Sequence, residues 1–83
     1  MENNELKQKL TEIANTLYKG NGNEGFAMMS GVLEDLQNVA IAMTNEERES
    51  FLNEALSPAL EAMVNHDGTL LADIITYEIV EKI

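Results

Sequence analysis

At 83 residues and a formal net charge of −10, the chain fits one domain, residues 1–83, with one core that buries roughly 60–65% of the surface the unfolded chain exposes. It has no cysteine and a single histidine, His66, which argues against disulfides, thiolate zinc sites, thiol catalysis and His-rich metal centres. The acidic excess repels phosphate backbones and anionic membrane surfaces, so neither nucleic acid nor a membrane is an expected partner.

Hydrophobic residues make up 45% of the chain, enough for a globular core. The longest apolar run, Val39 to Met43, is far too short for a membrane span. The opening MENNELKQ is acidic and polar and does not read as a secretory signal, which makes the cytoplasm the expected compartment. The charge is unevenly placed. Residues 1–19 balance three acids against three lysines, whereas residues 20–83 carry twelve acids against only Arg48 and Lys82. Such a surface keeps a small protein soluble or attracts a basic partner.

The periodicity predicts an all-α fold, a small four-helix bundle. The first helix spans about 4–19, with Leu6, Leu10, Ile13, Ala14 and Leu17 as its apolar stripe. Gly20-Asn21-Gly22-Asn23 then breaks it. The second spans about 24–43. Phe26, Met29, Leu33, Leu36, Ala40 and Met43 form a seam that Met28, Val32 and Val39 widen to roughly 160°, a breadth that places this helix centrally. Ala27 and Gly31 on its flank are small enough for a close helix crossing.

Thr44-Asn45-Glu46-Glu47 has the capping-box pattern and starts a third helix over about 45–65. Pro58 falls inside that pattern. A proline is welcome at a first helical position and costly in an interior, so Ser57-Pro58 predicts a kink or restart. Asn65-His66-Asp67-Gly68 ends the segment. The fourth helix, about 69–82, spreads Leu70, Leu71, Ile74, Ile75, Ile79, Val80 and Ile83 over most of its circumference. Its β-branched residues would also suit a strand, but only one pairing with a copy of the chain.

Tests for chemistry return little. Neither Gly25 nor Gly68 anchors the oxygen ligands of a calcium loop. Val32-Leu33-Glu34-Asp35-Leu36 resembles the acidic stretch before the attachment site of acyl carrier proteins. That family's Asp-Ser-Leu tripeptide is missing, and Ser30, Ser50 and Ser57 lie in other contexts. His66 sits in a turn, and Glu34-Asp35 and Glu46-Glu47 splay apart on a helix, so neither supplies a base with a nucleophile. No glycine-rich phosphate loop is present. The chain reads as no enzyme, with no cofactor and no small-molecule substrate.

Function is therefore expected to lie in contact. The sequence predicts a small protein-interaction module, an adaptor, regulator or chaperone-like protein, with a protein partner or a second copy of itself covering the fourth helix. The candidate interface residues are Leu71, Ile75, Glu78, Ile79 and Val80, with Met28 and Met29 as adaptable apolar contacts. The alternative is an acidic decoy that imitates nucleic acid in a basic protein site.

Overall fold

The computed structural model describes residues 3–83, and they form four helices with no strand. Helix α1 is Asn4–Tyr18 and helix α2 is Gly22–Ala42. Helix α3 runs over 45–64 and is α-helical at Asn45–Phe51 and Ser57–Val64, with a wider π-helical turn at Leu52–Leu56 between. Helix α4 runs over 68–82, again with a π-helical turn, Ile75–Ile79, between Gly68–Ile74 and Val80–Lys82.

The caps explain where the helices stop. At the end of α1, Gly20 takes φ 87°, the Gly20 amide donates to the Leu17 carbonyl, and the Asn21 amide donates to that of Thr16. The end of α3 repeats this pattern with His66 in the glycine's place: His66 has φ 54°, its amide donates to Met63, and the Asp67 amide donates to Ala62. Both are Schellman ends, and only the first uses the residue that adopts positive φ without steric cost. Helix α3 begins on the expected capping box. The Glu47 amide donates to Thr44 Oγ1 at 3.2 Å, and the Thr44 amide donates to Glu47 Oε1 at 3.1 Å. Asp67 caps α4 by accepting from the Leu70 amide at 3.1 Å.

Pro58 does not restart α3 behind a Ser57 cap. Ser57 has helical dihedrals, φ −61° and ψ −48°, and the chain passes through as one helix. The Ser57 amide reaches back five residues to the Leu52 carbonyl. This widened turn lies just ahead of the proline, where an unbroken α-helix would force the ring against the Glu54 carbonyl.

The two π turns pack against each other and do the same geometric job. Residues four apart on an α-helix rotate by about 40°, so a row at that spacing drifts off its face. Widening one turn absorbs the drift. Phe51, Ala55 and Ala59 on α3 stay on the core, as do Leu71, Ile75 and Ile79 on α4, all six at 0% exposure.

Helices α1 and α4 form the centre. Helix α1 packs along both α2 and α4, and α4 also packs along α3. Asn3 Nδ2 donates to the Ile83 carbonyl at 3.2 Å, and the Tyr18 hydroxyl donates to Asp73 Oδ1 at 2.5 Å, so α1 and α4 run antiparallel. Helix α2, expected at the centre for its apolar breadth, is an outer helix. It buries Gly25, Met29, Val32, Leu36 and Ala40 and leaves Ile41 70% exposed. The close crossing is also displaced from its expected place. Gly31 and Ala27 face outward, and it is Gly25 that meets α1: a methyl there would sit 2.6 Å from Leu17 Cγ.

Arg48, the chain's only arginine, ties α3 to the end of α2. Its Nε donates to the Ala40 carbonyl at 2.8 Å, and its Nη2 donates to the Ile41 and Met43 carbonyls at 2.9 and 3.0 Å. These carbonyls lie at the negative end of a helix dipole, where a guanidinium is favoured, and that of Ala40 also accepts the Met43 amide.

Candidate functional site

Most of the residues expected to meet a partner lie inside the molecule. Leu71, Ile75, Ile79 and Met29 are 0% exposed, enclosed by the chain's own helices. The apolar breadth of α4 is thus accounted for by its central place between α1 and α3, and none of these four side chains offers a surface. Val80 and Met28 are half-buried against the core. Glu78 reaches the surface and pairs with Lys82, Oε2 to Nζ 3.8 Å, with side chains 41% and 29% exposed. At that exposure the pair stabilises the helix by less than about 1 kcal/mol.

Two surface features stand out instead. The first is a groove between α1 and α2. The helices touch closely at Leu17 and Gly25, and α2, about 31 Å long against about 22 Å for α1, is the longer of the two. The groove encloses about 550 Å³ and is lined by Asn3, Glu5, Leu6 and Lys9 from α1 and by Asp35, Asn38, Val39 and Ala42 from α2. Leu6, Val39 and Ala42 supply its apolar part. Glu5 on one bank and Asp35 on the other are exposed, as is Lys9.

The second is an aromatic patch where the C-terminal end of α1 meets α4. Tyr18 is 47% exposed and Tyr77 68%, and they are the only tyrosines in the chain. The bond to the Asp73 carboxylate, followed by partial desolvation, raises the Tyr18 pKa above that of a free tyrosine. The Thr76 hydroxyl beside it acts in the opposite sense, and Tyr77 is near enough to Tyr18 to act on it electrostatically. Leu70, one turn before Asp73, is 46% exposed.

The remaining polar groups form local pairs. Ser50 Oγ donates to Glu54 Oε2 at 2.5 Å on an exposed face of α3. His66 is exposed and meets Phe26 edge-on, ring centroids 5.8 Å apart. Among the described residues, no group of three or more acids and histidines could hold a metal ion. No helix among them is long and apolar enough to cross a membrane.

Sequence reasoning missed the groove and the patch for different reasons. The groove depends on how two helices pack against each other, which no residue spacing records. Tyr18 and Asp73 are 55 positions apart, so their pairing is tertiary. The one available signal was that both tyrosines fall outside the apolar stripes of their helices, where a large amphipathic ring faces water.

No significant match is found among curated proteins or among solved structures. A family model does match, over residues 3–83, and the chain belongs to the family described as domain of unknown function DUF8042.

Proposed function

We propose that this chain is a small, non-catalytic cytoplasmic protein that works by docking a segment of another protein in the groove between α1 and α2. The carrying observation is the groove itself: about 550 Å³, within the range of well-formed binding sites, open along two helices and apolar where Leu6, Val39 and Ala42 line it. That shape suits an amphipathic helix laid into it by its apolar face. Glu5 and Asp35 on the banks, within a chain of net charge −10, favour lysine and arginine on the occupant's flanks. A second copy of the chain would bring another −10 to the interface and is disfavoured by repulsion.

The test is a methyl and amide NMR titration of the full chain with a designed amphipathic helix of leucine and lysine. The reading expects shifts concentrated at Leu6, Lys9, Asp35, Val39 and Ala42, saturation that survives high salt, and loss of binding in Val39→Asp. Shifts spread over the acids of α3 and α4 that vanish with salt would instead mark an acidic decoy of basic surfaces. A doubled solution mass by light scattering, with the same groove signals perturbed, would replace the foreign helix with a second copy. Absence of any shift in the groove overturns the reading.

A further inference from the structure

We propose that Tyr18, Asp73 and Tyr77 form a second binding site, one for an arginine side chain of a partner. The site lies about 18 Å along α1 from Leu6 and stands apart from the groove.

Tyr77 is 68% exposed and Tyr18 47%, so their rings are open to a ligand. A tyrosine ring presents a negative face that attracts a cation. The Asp73 carboxylate, four residues before Tyr77 on the same helix, is held in place, since Oδ1 accepts the Tyr18 hydroxyl at 2.5 Å. Among the described residues nothing else donates to Asp73, and the single ion pair among them, Glu78–Lys82, does not involve it. A fixed carboxylate with one oxygen free, beside two exposed aromatic rings, is short of one thing only: a positive charge.

Arginine fits better than lysine. A guanidinium is planar, stacks on an aromatic face while its edge donates to a carboxylate, and is less strongly hydrated than an ammonium group. Tyr77 offers the face and Asp73 Oδ2 the acceptor. Leu70, 46% exposed one turn away, gives the aliphatic stem an apolar shoulder. The rest of the surface adds long-range attraction through its net charge of −10, and this does not distinguish arginine from lysine.

The chain reports on this site without a label. It has no tryptophan and only two tyrosines, both at the site, so tyrosine emission comes from here alone. The probes are two capped tetrapeptides, Gly-Arg-Arg-Gly and Gly-Lys-Lys-Gly, added to the full chain. The expected result is a saturable change in emission with the arginine peptide and binding several times weaker with the lysine peptide. Tyr77→Ala, at an exposed position that leaves the fold intact, should weaken the arginine peptide about threefold to fivefold, the effect of one exposed cation–π contact. Asp73→Asn should abolish the preference for arginine. Glu54→Gln, which removes the same charge from α3, should change nothing. Equal binding of the two peptides, unchanged binding by Tyr77→Ala, or an equal loss from Glu54→Gln each overturns the site and reduces the effect to bulk charge. None of these outcomes touches the groove, whose signals come from other residues.

Discussion

The two helical hairpins of this chain are closed in different ways. In the α3–α4 hairpin, alanines at 55, 59 and 62 face the large side chains Leu71, Ile75 and Ile79, all of them 0% exposed. These small side chains let the helices approach and interlock, and a π turn in each keeps its row on the shared face. The α1–α2 hairpin has one such point, Gly25 against Leu17. Farther along, α2 still buries Met29, Val32, Leu36 and Ala40, while Leu6, Val39 and Ala42 line an open groove. One hairpin spends its apolar surface on stability, while the other keeps part of it available.

The largest expected effect comes from breaking the closed hairpin. Ile75→Asp puts a carboxylate into a site with no exposure and should cost at least ~4 kcal/mol. Against a typical stability of about 5–15 kcal/mol, the melting temperature followed by helical circular dichroism should fall steeply. Ile75 is a candidate interface residue by its sequence, but at 0% exposure the primary lesion of this change is a folding one. Arg48→Ala attacks the joint between the hairpins. With three carbonyls losing a charged donor, urea unfolding should show a loss of about 1–3 kcal/mol, and Arg48→Lys, a point charge without the fork, should recover only part of it.

Gly25→Ala sharpens the contrast within α1–α2. Alanine gains about 1 kcal/mol of helix propensity over glycine, yet the added methyl collides with Leu17, and overpacking of this kind costs about 1–3 kcal/mol. A net loss near 1 kcal/mol is expected, and groove binding should change as the hairpin is levered apart. His66→Gly compares the two Schellman ends. Relief of the left-handed backbone, about 1–2 kcal/mol, outweighs the lost edge contact with Phe26, and the melting temperature should rise slightly.

The smallest effect is a titration. Because the Asp73 bond raises the Tyr18 pKa, the folded state favours protonated Tyr18 more than the unfolded state does. Its contribution is fully present below pH 10, the ordinary tyrosine value, and is lost as the pH rises through the higher folded value. Ultraviolet difference spectra should show one tyrosine ionising later than in the unfolded chain, and Asp73→Asn should erase the lag.

The fold class was legible because it rests on local signals. The stripe Leu10, Ile13, Ala14 and Leu17 is buried as its spacing implies, and the Thr44 capping box is formed as written. Relative placement was not legible. Helices α2 and α4 both carry broad apolar faces, and breadth alone does not say whether the chain itself or a partner provides the cover. Helix α2, central by its breadth, is an outer helix, and α4 is enclosed between α1 and α3 by the chain itself. The Pro58 signal was sound as a warning of altered backbone, but a widened turn and a capped restart answer the same steric conflict.

The sequence by itself determined four helices, the Thr44 capping box and an acidic net charge, because periodicity, capping chemistry and charge act within a few residues. Tertiary structure alone decided which helices are enclosed, where a groove lies between α1 and α2, and that Tyr18 meets Asp73. Those depend on packing between side chains distant in sequence, and the angle between two helices follows from how all their contacts fit together.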